Sequence, residues 1–553
     1  MSKRSKTVAE FIVSCLEQEG VEYMFGIPGE ENIRLVLATT GSKIRFILVR
    51  HEQAASFMAD VYGRLTGKAG VCTATLGPGA INLLLGVADA QTDSTPLVAI
   101  SAQVGLNRIY KESHQIVDLV SMFKPVTKWA DILLTPAAAP EMVRKAFDVA
   151  QSERPGAVYL AIPEDVEAAA APDGAMPLTA RPRHAAGPDP AQVAAAIDLI
   201  RKAKRPIMLA GHGVARAGQS EALTRLSELL HIPVATTFMG KGVISDRHPN
   251  ALGVVGFMRH DYENFAFDKA DLILAIGYEL QEFAPVRVNP YKDKTIIHVN
   301  RFAEDTDAAY PIAVSIEADI GRSIEALIEA FSTDAPPAKP AESRIRALHQ
   351  AELEAGVTDD SYPVKPQRII NDMRKALGDE DIVLADTGAI KMWMARLYPT
   401  YAPLTCLISN GLSTMAFALP GAIAAKLAKP NRKVVAAMGD GAFLMNSQEI
   451  ETAVREKIPL VVLVWVDGAY GLIKWKMDLE LGHHGDVDFG NPDFVKYAES
   501  FGANGYKISA AAELLPTLRK ALDEEGVSII ACPVDYSENI KLTDKLGALT
   551  DPL

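Results

Sequence analysis

The stretch that most limits what this chain can fold into runs from residue 433 to 471. Lys433-Val434-Val435-Ala436-Ala437-Met438 is an apolar run with the character of a strand buried on both faces. It feeds directly into Gly439-Asp440-Gly441-Ala442-Phe443. Asn446-Ser447-Gln448-Glu449 then has the N-x-x-E form of a capping box and predicts an amphipathic helix through Lys457. A second apolar run, 460–466, delivers Asp467. Strand, glycine turn, helix, strand is a unit of a parallel sheet, and it brings the turn and the second strand end to one edge. Glycines there let backbone amides approach a phosphate, and a helix N-terminus adds a favourable dipole. Asp440 and Asp467 would repel a diphosphate unless a hard divalent cation lay between them. Mg²⁺ suits that place, taking few protein oxygens together with phosphate oxygens. Read alone, Gly-Asp-Gly is also a plain turn.

The same alternation fills the chain. A helix beginning at Thr7 and running through Gln18 is followed by apolar runs ending at Gly26 and covering 44–49, 71–75, 97–101 and 158–162. A second series has runs at 206–210, 234–237, 272–276 and 296–299. A third begins near 360, includes 382–385, holds the opening motif and ends at 528–533. Two Ala- and Pro-rich stretches without period, 167–191 and 333–340, read as linkers. The expected fold class is α/β, with three consecutive doubly wound parallel-sheet domains at 1–175, 190–333 and 355–553. Such a fold assigns no chemistry by itself.

Composition narrows the partners. The chain has 553 residues, 48% hydrophobic and 23% charged, as in a soluble globular protein, and its net charge of −13 argues against nucleic acid or an anionic membrane as partner. Cys15, Cys72, Cys406 and Cys532 show no pairing or zinc spacing, which fits a reducing cytosol. Lys3, Arg4 and Lys6 precede no apolar signal region, and no apolar run approaches the roughly 20 residues of a membrane span. A cytoplasmic protein is expected.

Other glycine turns share the same kind of edge. Phe25-Gly26-Ile27-Pro28-Gly29-Glu30 and His51-Glu52-Gln53 leave strands in the first series. Glu52 starts a helix, where a carboxylate serves the macrodipole as well as any ligand. Thr75-Leu76-Gly77-Pro78-Gly79-Ala80 with Asn82, and Ser101-Ala102-Gln103-Val104-Gly105, are two more. Gly-Asp-Gly followed by Asp467, 27 residues after Asp440, resembles the thiamine-diphosphate signature. With Glu52 in His-Glu-Gln and the Gly-Pro-Gly-Ala turn, the chain resembles the acetohydroxyacid synthase group of thiamine-diphosphate enzymes, nearest to its catabolic, flavin-independent acetolactate synthases. Supporting stretches are Ser113-His114-Gln115, 122–128, Ile408-Ser409-Asn410-Gly411, Asp488-Phe489-Gly490 and 533–537. The resemblance spans nearly the whole chain, in order.

The resemblance implies roles. Glu52 would hydrogen-bond the aminopyrimidine ring and favour the tautomer that takes the proton from C2. The thiazolium would be the electron sink for decarboxylating a 2-keto acid before attack on a second carbonyl. Asp440, Asp467 and the Ala469 carbonyl would hold Mg²⁺, with Gly441 and Ala442 beside them. Gly388, Ala389 and Ile390 fall where the family cradles the diphosphate, and Tyr470, Gly471 and Leu472 would pack over the pyrophosphate and thiazolium. Pro28, Gly29 and Asn82 belong to the cofactor set as well. The Ser413 carbonyl would accept the 4′-amino hydrogen and Met415 would wedge beneath the bent cofactor, although Met415 also reads as plain core. Gln115 would reach a developing alkoxide, or is a polar surface residue. The implied reaction is condensation of two pyruvates to 2-acetolactate and CO₂. In the family the glutamate-bearing domain of one subunit meets the metal-bearing domain of another, so a homodimer is the smallest active unit and a homotetramer is common. A simple 2-keto acid decarboxylase, a carboligase for glyoxylate or aldehydes, and a non-catalytic cofactor-binding protein are the rivals.

Two departures matter. The flavin-dependent branch carries Arg-Phe-Asp-Asp after the strand ending at Gly277, where this chain has Tyr278-Glu279-Leu280-Gln281-Glu282-Phe283, so FAD is not expected. Gly211-His212-Gly213 then reads as a turn rather than a dinucleotide site. That branch also has a tryptophan nine residues after the second metal ligand; here Lys476 stands there and Trp475 precedes it, which leaves the acceptor open. His483-His484, between Gly482 and Gly485, reads as an exposed loop.

Overall fold

The computed structural model describes residues 6–182, 184–256, 261–332 and 343–539. The second linker, with Lys3 and Arg4, lies outside the described residues. Six strands form the first sheet: β1 (Tyr23–Gly26), β2 (Arg45–Leu48), β3 (Gly70–Ala74), β4 (Leu97–Gln103), β5 (Trp129–Ile132) and β6 (Ala157–Pro163). The second has β7 (Pro206–Ala210), β8 (Val234–Thr236), β9 (Ala251–Val254), β10 (Leu272–Ile276), β11 (Thr295–Asn300) and β12 (Ile312–Glu317). The third has β13 (Ile382–Ala385), β14 (Cys406–Ile408), β15 (Val434–Gly439), β16 (Leu460–Val466), β17 (Asn504–Lys507) and β18 (Val527–Pro533). All strand pairings are parallel.

The first and third sheets share one order, β2-β1-β3-β4-β6-β5 and β14-β13-β15-β16-β18-β17. The middle sheet, β12-β11-β10-β7-β8-β9, is the open order of dinucleotide folds. Central strands such as β3, β4, β6, β7, β10 and β13 are buried at every residue, which is why they read as continuous apolar runs. Helices cover them, among them Val8–Gln18, started by a capping box of Thr7 and Glu10 as the sequence suggests.

Two local expectations fail. The first linker starts later than 167: Glu164–Ala168 is helical, and buried Glu167 accepts a hydrogen bond from the Leu35 amide. The capping box at 446–449 does not form either. A helix begins directly at Asp440 and ends at Asn446, and a second, Glu449–Arg455, follows. The Asn446 amide donates to the Ala416 carbonyl, and the Glu449 carboxylate is committed to the amides of Arg50 and His51. Neither side chain is left to cap.

By compactness the chain forms two units. One gathers the first sheet with Leu412–Asn431 and Asn446–Ile458, and the other holds the middle and third sheets. No described helix is long and apolar enough to cross a membrane.

Candidate active site

In the first unit, the turns after β1 and β3 flank the point where strand order reverses, the place where α/β sheets bind ligands. A side chain at Gly29 would strike Thr75, with Cβ only 2.4 Å from the Thr75 Cβ. Gly29 donates to Asn32 Oδ1 at 2.7 Å, while Pro28 is exposed. Glu52 is the first residue of the helix Glu52–Thr66 and is half-buried. Asn82, in the first turns of Pro78–Thr92, donates from Nδ2 to Glu52 Oε2 at 3.0 Å. Gly79 lies beneath the same carboxylate; a Cβ there would stand 3.2 Å from Oε1. The two helices approach closely because residue 86 is glycine: a Cβ would lie 2.3 Å from Ser56 Oγ.

Glu52 is held from behind. Glu449, fully buried, accepts from the amides of Arg50 and His51, each at 3.0 Å, and Arg455 donates to the Leu48 carbonyl. The helix Glu449–Arg455 therefore fixes the segment that delivers Glu52. Burial pushes the Glu449 carboxyl up to about 7, against the lowering effect of the Thr452 hydroxyl and the two amides. Further along the Glu52 helix, buried Arg64 binds Asp60 at 2.7 Å and Asp93 at 2.8 Å, and Phe57 meets Phe417 edge-on at 5.9 Å. Removing one partner of such a buried pair costs about 3–5 kcal/mol, so the helix has little freedom to drift.

Gln115 reaches this edge through its backbone: a Cβ on Gly77 would lie 2.8 Å from the Gln115 carbonyl. Its φ is +58°, and its side chain is exposed. Ser413 and Met415 belong to the same unit; Ser413 has φ +55° and is exposed, and Met415 is half-buried rather than core. Asn446 braces this turn through the Ala416 carbonyl at 3.0 Å.

In the second unit, Asp440 follows β15 and Asp467 follows the neighbouring β16. Asp440 is buried, and its Oδ2 accepts from Gly468 N at 2.8 Å, Asp467 N at 3.2 Å and Asn491 Nδ2 at 2.7 Å. Its Oδ1 accepts from Gly441 N, at 2.9 Å, and keeps a lone pair to offer. Burial, and then the adjacent Asp440 carboxylate, raise the Asp467 carboxyl above the usual range. The Asn491 Oδ1 is buried with no hydrogen-bond partner. Two facing carboxylates and a stranded amide oxygen are the donor set a hard divalent cation takes, so the residues fit Mg²⁺. Tyr470 N donates to Val487 O and Phe489 N to Gly468 O, both at 2.9 Å, which leaves the Ala469 carbonyl outside that pairing.

The small residues have geometric reasons. A Cβ at Gly471 would lie 2.4 Å from Asp467 Oδ2, and one at Gly441 would lie 3.0 Å from the Tyr470 ring and 3.2 Å from Phe489. Ala442 is buried, Tyr470 is 40% exposed and Leu472 is half-buried. Gly388 has φ +139°, which favours glycine, and precedes the helix Ala389–Leu397. The Ala389 and Ile390 side chains point inward, so only their amides can serve a ligand. The sequence reading missed Asn491 and Glu449; the one signal for Asn491 was its place right after Asp488-Phe489-Gly490. His483 and His484 are exposed, after the left-handed cap Gly482.

The middle sheet offers no comparable edge. A Cβ on Gly211 would lie 2.4 Å from the Gly277 carbonyl, and the His212 amide donates to Glu282 at 3.1 Å. Glu282 is buried and pushed up to about 8, by burial first and then by Glu279. The Glu282 carboxyl fills the space beside this turn, where a Cβ on Gly211 would lie 2.5 Å from its Oε1.

Three family models match the chain: the N-terminal TPP binding domain of thiamine pyrophosphate enzymes over residues 6–122, the central domain over 193–327, and the C-terminal TPP binding domain over 386–532. The chain is 37% identical to an acetolactate synthase of Bacillus subtilis over 97% of its own length and 95% of that protein. It belongs to the acetolactate synthase family of thiamine-diphosphate enzymes. A catabolic acetolactate synthase of Raoultella terrigena is 35% identical, covering 97% of each chain. A probable acetolactate synthase large subunit of Methanococcus aeolicus is 34% identical over 98% of this chain and 94% of that one. The family's three α/β domains correspond in order to the three parallel sheets.

Proposed function

We propose that this chain is a thiamine-diphosphate- and Mg²⁺-dependent carboligase that condenses two pyruvates to 2-acetolactate with release of CO₂. The observation that carries the reading is the Glu52 carboxylate, placed at a helix start, oriented by Asn82 and floored by Gly79. When bound, the cofactor supplies a nucleophilic C2 and an electron sink. Glu52 would hydrogen-bond the aminopyrimidine ring and hold the proton exchanged with it, and Asn82, bonded to Oε2, would leave Oε1 for that contact. Asp440, Asp467 and the Ala469 carbonyl hold Mg²⁺, and the amides at Ala389 and Ile390 face the diphosphate. Ser413 and Met415 shape the cofactor bend, Pro28 and Gly29 the pyrimidine pocket, and Tyr470, Gly471 and Leu472 the thiazolium cover. Gln115 would hydrogen-bond the carbonyl oxygen of the second pyruvate as it gains charge.

The division read from the sequence goes with this proposal: 1–175 carry Glu52, 190–333 connect, and 355–553 carry the metal ligands. The family likeness supports a homodimer as the minimal unit, in a cytoplasmic homotetramer. Proton–deuterium exchange at C2 of the bound cofactor tests the site before any substrate chemistry. Glu52→Gln keeps the volume and loses at most a helix-dipole contribution of about 0.3–1 kcal/mol, so the protein should fold and load cofactor. Exchange should slow by about 10²–10⁴-fold. Wild-type exchange in the loaded variant would reduce Glu52 to a helix-start residue.

A further inference from the structure

The loop after β8 carries Lys241, 4% exposed, whose ammonium has no hydrogen bond or ion pair among the described residues. The side chain is buried while its ammonium borders a cavity, so whatever fills that cavity, water or an anion, is what solvates the charge. Lys241 lines this cavity, of about 160 Å³, whose lining residues all belong to the second unit and include none of the candidate active-site residues. Arg247, Arg346, Arg396 and Tyr401 line it too, and Asp246 is the one carboxylate among the lining residues.

The charges of these groups are unequally satisfied. Arg396 is neutralised by Asp261 at 2.6 Å and Glu352 at 2.7 Å. Arg247 pairs with Asp379 and lies 3.5 Å over the Tyr401 ring. Asp246 accepts from the Thr400 amide at 2.7 Å and hydroxyl at 3.2 Å, which orient it without cancelling its charge. Among the described residues Arg346 donates to the carbonyls of His248 and Arg247, which orient it without cancelling its charge. Among the described residues Lys241 and Arg346 have no ion-pair partner, and the lining carries four cationic side chains, Lys241, Arg247, Arg346 and Arg396, against the one carboxylate of Asp246. The same bonds pin the helix Ser343–Val357 and the 400 segment to the loop, so the walls are built rather than loose.

We propose that this cavity binds a phosphoryl group, as free phosphate or as the phosphate of a small phosphomonoester. An ammonium and a guanidinium lining one cavity suit a tetrahedral dianion. The volume exceeds what a carboxylate alone would fill.

Calorimetric titration of the holoenzyme, saturated with thiamine diphosphate and Mg²⁺ so that the cofactor's own diphosphate site is filled, tests this. The probes are inorganic phosphate and glycerol 3-phosphate, in chloride buffer. One saturable site per chain is expected, weakened about tenfold or more by Lys241→Met and by Arg346→Gln, and retained in Lys241→Arg. Tighter binding of glycerol 3-phosphate identifies an organic phosphate as the ligand; tighter or equal binding of inorganic phosphate identifies the free ion. If neither probe binds saturably, or both variants titrate like wild type, the proposal is overturned. Arg346 is part-exposed, so Arg346→Gln decides alone should Lys241→Met not fold.

Discussion

At Asp440 four donors converge on a single buried carboxylate, three of them on one oxygen. That arrangement aims the other oxygen and holds it there, which is how a ligand is oriented before its cation arrives. Asp440→Ala removes an anionic ligand and releases three amides and Asn491 together. Thiamine-diphosphate titration at fixed Mg²⁺, followed by intrinsic fluorescence, should show affinity lower by well over ~10-fold, with excess Mg²⁺ restoring only part of it. Asn491→Ala should lose about 10–100-fold in Mg²⁺ affinity. An Asp440→Ala titration matching wild type would remove the metal assignment. Asp440 and Asp467 could be found in the sequence because adjacent strands carry them with a set spacing. Glu449 could not, and Asn491 only through its place right after Asp488-Phe489-Gly490, since their partners lie 399 and 51 residues away.

The short helix Glu449–Arg455 shows how an element from late in the sequence can serve an early site. Its Glu449 is raised from the usual 4.5 to about 7 by burial. The folded chain therefore keeps a proton that the unfolded chain has released between those values. The group's stability contribution is full below pH 4.5 and is lost as pH rises through 7. Glu449→Gln still accepts from the amides of Arg50 and His51 but does not titrate. Between pH 5 and pH 8 wild type should lose on the order of 1–3 kcal/mol more stability than the variant, as read from denaturation midpoints. Equal pH dependence in both proteins would contradict this. Element by element, the strands that sequence reasoning missed are β5, β9, β12, β14 and β17, and every one lies at a sheet edge. Edge strands such as Trp129–Ile132 and Asn504–Lys507 are only partly buried and short, so they lack the unbroken apolar run that marked the central strands.

At the scale of the whole molecule, the sequence announced three sheets because each is a βα series with its own glycine turns. It did not announce that Leu412–Asn431 and Asn446–Ile458 join the first sheet's unit. That membership rests on packing, with Ala418–Ala428 lying against Glu52–Thr66 and Phe417 against Phe57, and packing partners are not encoded in periodicity. The middle sheet keeps the dinucleotide strand order, yet Glu282 stands at its helix start, so the protein should be colourless and should need no flavin. What the whole chain is proposed to do is join two pyruvates, and product analysis tests that most directly. Purified protein is incubated with labelled pyruvate, thiamine diphosphate and Mg²⁺, without flavin, and the carbon is followed by NMR. The account predicts 2-acetolactate as the main product, with one CO₂ for every two pyruvates and acetaldehyde minor. Acetaldehyde or acetate as the main product, or turnover only after flavin is added, would contradict it.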